Sequence, residues 1–154
     1  TVPITVKVAD DGSGSQNVFY LLSGTDSGAG TRSASLDVSV GFKYKFDLSD
    51  SSMSGHNFKF STVKDGTHNS GSEFTTNVTT SGTPGSANAY AQIEITPETM
   101  GISSSSGAGT PTLYYYCSNH SGMGGEGALS LYASGSGSGG ASLTSANGFF
   151  MANG

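Results

Sequence analysis

Residues 112–125 read "TLYYYCSNHSGMGG", and the character of the chain changes within them. Over 112–117 the side chains alternate. Leu113, Tyr115 and Cys117 share one face and the intervening residues take the other, the period of a strand with one side in a core. Directly afterwards Gly122, Gly124 and Gly125 permit a tight return of the backbone. The reading is a strand that ends in a short, glycine-rich loop carrying Cys117, His120 and Met123.

The same alternation recurs on both sides of this stretch. "TVPITVKVA" (1–9) aligns Val2, Ile4, Val6 and Val8, and "FKYKFDL" (42–48) aligns Phe42, Tyr44 and Phe46. "GHNFKFS" (55–61) puts His56, Phe58 and Phe60 on one face, and "NAYAQIEI" (88–95) aligns Ala89, Ala91, Ile93 and Ile95. Further strands are expected near 17–22, 33–40, 127–133 and 141–151, and no helix is indicated. Between them lie "DDGSGSQN", "SGTDSGAG", "SGTPGS" and "SSSSGAG", which are turn and loop chemistry. Roughly seven to nine short strands with such turns predict an all-β fold, an antiparallel Greek-key β-sandwich of immunoglobulin-like proportions. Residues 1–133 form the sandwich in this reading. Residues 134–154 add a Gly/Ser tether, "SGSGSGG" at 134–140, and a C-terminal strand.

Composition narrows the function classes. The chain has 154 residues, enough for one domain with a real core. Charged residues make up only 11%, glycine counts 24, and the formal net charge is −5 with six basic residues. No Lys/Arg cluster exists to neutralise phosphates, which argues against a nucleic-acid partner. No apolar run approaches the roughly 18–20 residues of a membrane span. The single cysteine cannot pair within the chain. A Ser/Thr/Gly-rich, lysine-poor surface points to an extracellular setting, and Asn77–Val–Thr and Asn119–His–Ser fit the glycosylation triplet. The chain opens on Thr1 with neither initiator methionine nor signal peptide, as expected after processing or for one part of something longer.

Strand parity directs Cys117 and His56 into the sandwich near strand ends, and the loop brings back His120 and Met123. One thiolate, two imidazoles and a more distant thioether form the ligand set of a mononuclear copper electron-transfer site. Soft sulfur suits Cu(I), imidazole suits Cu(II), and a trigonal Cys/His/His arrangement with a weak axial Met serves both. Because His56 comes from a distant stretch, such an ion is expected to join the two sheets. Other readings of the same residues stay open. A lone cysteine is often an inert core thiol. Zinc would find the thioether a poor ligand and no carboxylate beside it. A Cys117–His120 nucleophile pair would lack an orienting third group. His68 in "DGTHNSG" reads as a solvated loop histidine.

Over roughly residues 1–133 the chain resembles a cupredoxin. The residues that carry the resemblance are "SGHNFKFS" (54–61) and the Cys-x2-His-x2-Met spacing of Cys117, His120 and Met123. The loop spacing is similar to that of amicyanin-type cupredoxins, and the Gly-His-Asn-aromatic start to azurins. The longer runs "FDLSDSSMSGHNFKFS" and "DGTHNSGSEFTTNVTTSGTPGS" also resemble cupredoxin-like domains in large surface and virion proteins of marine bacteria and phages. The resemblance implies one copper ion held by His56, Cys117, His120 and Met123, with Asn57 tying the two ligand loops together. It implies no enzyme activity. The expected role is an extracellular structural module of a surface fibre, pilus-like filament or virion, which self-associates by lending a terminal strand, 1–9 or the tail, to a neighbour. The alternative is a soluble blue-copper electron-transfer protein with a redox partner. The chain departs from the family in a long polar segment at 62–87, a C-terminal extension, and the absence of a proline after the cysteine.

Overall fold

Where apolar and polar residues alternate, the chain forms strands whose apolar side is closed off from water. The computed structural model describes residues 1–10, 12, 17–23, 28, 30–103, 111–133 and 143–145. In chain order the elements are β1 (Val2–Asp10), β2 (Asn17–Ser23), β3 (Thr31–Arg32), β4 (Ala34–Ser39), β5 (Lys43–Asp47), β6 (Lys59–Ser61), β7 (Val78–Ser81), β8 (Tyr90–Glu94), α1 (Pro97–Ser103), β9 (Thr112–Tyr116), β10 (Ala128–Tyr132) and β11 (Leu143–Ser145). Two short 3-10 turns, Ser51–Met53 and Gly66–Asn69, flank β6.

The strands form a six-stranded sheet in the order β3-β2-β1-β5-β8-β7 and a five-stranded sheet in the order β11-β4-β10-β9-β6. The molecule is an all-β sandwich, as the alternation predicts. The expectation of antiparallel pairing throughout needs correction. β1 pairs β5 in parallel and β4 pairs β10 in parallel, so both sheets are mixed. The cause is the path of the chain, which leaves the first sheet to lay down β4 in the second and returns as β5. That double crossing brings β5 back beside β1 in the same direction. The eleven strands among the described residues also exceed the expected range, because β3 and β7 are too short or too polar to show as alternation.

The strand faces follow the sequence closely. Val2, Ile4 and Val6 are buried, as are Tyr44, Phe46, Ala89, Ala91, Ile93 and Ile95. β1 lies between β2 and β5 of its own sheet, so the chain's own first strand fills that position. The C-terminal strand expected at 141–151 is present as β11, antiparallel to β4. The tether 134–140 and residues 146–154 lie outside the described residues.

One helix appears that alternation does not announce. Thr96 and Thr99 cap its start reciprocally: the Thr99 amide donates to Thr96 Oγ1 and the Thr96 amide to Thr99 Oγ1, each at 3.2 Å. Pro97 follows Thr96 at the first helical position, where its fixed φ and missing N–H cost nothing.

An aromatic cluster at one end of the sandwich prepares the site. Phe58 stacks on Tyr115 with centroids 5.0 Å apart, and it meets Phe46 at 4.9 Å and Phe19 at 5.1 Å. Phe58 precedes β6 and Tyr115 belongs to β9, so this packing fixes the ends of two neighbouring strands, each leading to a candidate ligand.

Candidate metal centre

His56 lies two residues before Phe58, in the turn between the Ser51–Met53 3-10 turn and β6. Its backbone amide donates to the Met53 carbonyl at 2.9 Å, and Met53 is fully buried. Cys117 follows the last residue of β9 and is also fully buried. The chain then turns sharply, with Cys117 and His120 forming an isolated antiparallel bridge, and places His120 at the surface. Three of the four expected ligands, His56, Cys117 and His120, converge. His56 Nδ1 lies 3.2 Å from His120 Nδ1, and Cys117 Sγ lies 4.0 Å from His56 Nδ1 and 3.7 Å from His120 Nδ1.

These distances can be tested against an ion. The point equidistant from the three donor atoms lies about 2.1 Å from each, a metal–nitrogen length and about 0.2 Å short of a metal–sulfur bond. The donor triangle is therefore of a size that one metal ion could span. Burial, reinforced by the neighbouring His120 ring, holds His56 below the ordinary histidine range. Its lone pair is then available at neutral pH. Met123 is buried in the same core cluster as Cys117, and its carbonyl accepts from the Phe19 amide at 2.9 Å.

Asn57 does what the sequence reading assigns to it. Its Oδ1 accepts from the Ser118 amide at 2.8 Å and its Nδ2 donates to Ser118 Oγ at 2.7 Å. One side chain thus spans the His56 turn and the Cys117 loop. Asn119 adds a second tie, donating to the Gly55 carbonyl at 3.2 Å.

One expectation is overturned. An ion here would not join the two sheets, because β6 and β9 are hydrogen-bonded neighbours in the five-stranded sheet, with Lys59 opposite Tyr116. Long sequence separation does not mean distance across the sandwich here, because strand pairing makes the two segments adjacent. His68 also differs from a merely solvated residue. Its ring is exposed, yet Nε2 lies 2.8 Å from the Cys117 carbonyl, which can only accept. The sequence carried no signal for that bond, nor for Asp65 Oδ1, which accepts from the Gly122 amide at 2.9 Å.

The loop glycines have identifiable reasons. Gly122 has φ +79°, and a Cβ on Gly124 would sit 2.0 Å from the Tyr115 carbonyl oxygen. The loop can fold back on β9 only where that side chain is missing.

Comparison of the chain with family models, with curated proteins and with solved structures returns no match.

Proposed function

We propose that the chain is an extracellular β-sandwich module of the cupredoxin kind that holds one copper ion at His56, Cys117, His120 and Met123. The observation that carries the copper assignment is the donor triangle. Two imidazole nitrogens and a cysteine sulfur stand 3.2, 3.7 and 4.0 Å from one another, separations that one ion could share. Structural zinc is almost always tetrahedral, whereas a His₂Cys plane with a weak thioether beyond it suits copper. A copper ion in such a set supplies one-electron exchange between Cu(I) and Cu(II). The protein's part is to hold His56 neutral and half-buried, to keep the Cys117 sulfur and Met123 away from solvent, and to leave His120 the most exposed of the four.

The structural role is supported by what surrounds the site. Ser118, Asn119, Ser121 and Gly122 border His120, and among the described residues the one exposed large hydrophobic side chain is Ile102, on α1. Among the described residues, therefore, no apolar docking face of the kind an electron shuttle would offer a partner borders His120. The low charge and Ser/Thr/Gly-rich surface suit a building block of a fibre, filament or virion. The second reading, a blue-copper electron-transfer protein, is favoured by the exposure of His120, which gives the donor set a direct contact with the outside.

The test is addition of one equivalent of Cu(II) to the purified chain. A thiolate-to-copper absorption near roughly 600 nm is expected. Cys117→Ser is expected to abolish it and to weaken binding sharply, because the soft charged ligand is gone. Equal copper affinity in both proteins would place the metal elsewhere. Sedimentation of the full chain across a range of concentrations tests assembly, and a chain that stays monomeric throughout would refute self-association.

A further inference from the structure

The long polar stretch after β6 contains a compact coil, residues 63–71, that lies against the outer face of β9 and the ligand loop. Its backbone is unusual: Asp65, Gly66 and Ser70 all have positive φ, at 64°, 53° and 62°. Non-glycine residues adopt that region rarely and at some cost, so two of them within six residues need a compensating set of contacts. The contacts are present, and they converge on one target.

Gly66 lies flat on the Tyr116 ring, where an added Cβ would stand 2.5 Å from ring carbons. Tyr116, which strand parity places on the outer face, is as a result fully buried, and its hydroxyl hydrogen-bonds Thr67. His68 reaches the carbonyl of Cys117 at 2.8 Å. Asp65 Oδ1 takes the amide of Gly122 at 2.9 Å. Lys64 pairs with Glu126 at the far end of the loop. The Gly71 amide closes the coil on the Gly66 carbonyl at 2.9 Å. Within the coil the left-handed residues serve to turn Asp65 and His68 toward the same loop.

We propose that this coil is an outer clamp on the ligand loop, and that His68 and Asp65 are positioning residues for the metal donors. The proposal rests on the reading of the site as a metal centre. Neither side chain touches a donor atom among the described contacts. His68 instead fixes the peptide plane of Cys117, and with it the direction in which the thiolate leaves the backbone. Asp65 fixes Gly122, between His120 and Met123. Asn57 holds Ser118 from the His56 side, and Phe19 holds the Met123 carbonyl from the core side. The loop is thus held on three sides by hydrogen bonds that do not involve a metal, which keeps the donor triangle near its working size at all times. Such outer partners orient ligands, and their loss commonly costs 10–100-fold in metal affinity.

The experiment compares the wild type with His68→Ala, His68→Gln and Asp65→Gly. Glutamine retains a side-chain N–H, and glycine retains the left-handed backbone while removing the carboxylate. Amide hydrogen exchange on the metal-free proteins is the first readout. In His68→Ala and Asp65→Gly the amides of Ser118–Gly125 are expected to exchange about tenfold faster or more, with those of β1 and β2 unchanged. His68→Gln is expected to return most of the protection. Cu(II) titration is the second readout, with affinity expected to fall about 10- to 100-fold in His68→Ala and to recover in His68→Gln. Unchanged loop exchange in both His68→Ala and Asp65→Gly overturns the clamp, whatever the copper result. A wild-type chain that takes no copper refutes the metal reading instead, and the exchange data then judge the clamp by themselves.

Discussion

Asn57→Ala isolates the tie between the two ligand-bearing segments. The asparagine makes two hydrogen bonds to one residue, accepting from the Ser118 amide at 2.8 Å and donating to the Ser118 hydroxyl at 2.7 Å. It is only half-buried, so truncation removes little apolar contact and the loss is mainly polar. Each such bond contributes about 0.5–1.5 kcal/mol net, and the Ser118 amide, half-buried and left without its acceptor, raises the cost further. The expected loss is about 2–3 kcal/mol in the metal-free protein. For a chain of this size, 1 kcal/mol corresponds to about 2–4 °C, so the melting temperature should fall by about 4–12 °C. Asn57→Asp provides the control. A carboxylate still accepts from the Ser118 amide, and the hydroxyl can rotate to donate to the second oxygen, so both bonds survive in altered form. Its loss should be less than half that of alanine. Thermal and urea unfolding followed by circular dichroism measure both. An Asn57→Ala protein melting within about 1 °C of the wild type would refute the reasoning, and so would an Asn57→Asp protein as damaged as the alanine variant.

Three further outcomes are expected. Gly124→Ala should displace the ligand loop, because its Cβ would stand 2.0 Å from the backbone oxygen of Tyr115, which cannot yield; thermal melting and Cu(II) titration should both show the loss. Met123→Leu conserves volume in the core, so it should cost under about 1.5 kcal/mol and leave copper bound by the other three donors, with a shifted potential by voltammetry. Loss of stoichiometric copper in Met123→Leu would show that the thioether is indispensable. Asp37 on β4 is pushed up to about 6, chiefly by burial, with the Tyr132 hydroxyl pulling weakly the other way. Its folded pKa thus exceeds its unfolded one, so the folded state binds the extra proton. That contribution is complete below about pH 4 and is lost as the pH rises through 6. Asp37→Asn should therefore gain on the wild type from pH 5 to pH 8 in melting temperature, and a constant difference across that range would contradict the assignment.

Strand faces were legible because burial on one side of a sheet imposes period 2. Leu113, Tyr115 and Cys117 point inward as parity requires, and so do Phe58 and Phe60. The cluster of His56, Cys117 and His120 was legible for a related reason, since Cys117 and His120 share one short loop and His56 stands beside an inward aromatic. Pairing was not legible. Nothing in "SGHNFKFS" states that β6 lies next to β9, so the expectation of an ion joining the two sheets has no support in the pairing. Tyr116 shows a further limit: parity places it outward, and it is buried because the 63–71 coil lies over it. The helix start was written in the chain as Thr96–Pro97 with Thr99 following, but seven residues are too few to establish a helical period.

The four candidate donors differ in what fixes them, and that difference bears on how the site can act. His56 is tied to Met53 and, through Phe58, to the ring cluster of Phe19, Phe46 and Tyr115. Cys117 continues β9 directly beyond Tyr115 and Tyr116, both fully buried, and Met123 is buried with its carbonyl bonded to Phe19. Cys117 and Met123 are therefore set by the core, where a shift of one side chain is resisted by close packing on every side, and His56 stands half-buried at its edge. His120 alone is exposed, and its amide is 3.4 Å from the Cys117 carbonyl, a long bond for a backbone pair. An incoming ligand or a neighbouring molecule would therefore meet His120 first, because it is the most exposed of the four side chains. A substitution such as Phe58→Leu should disturb the site in the opposite manner, by moving His56 from within while leaving the exposed edge intact.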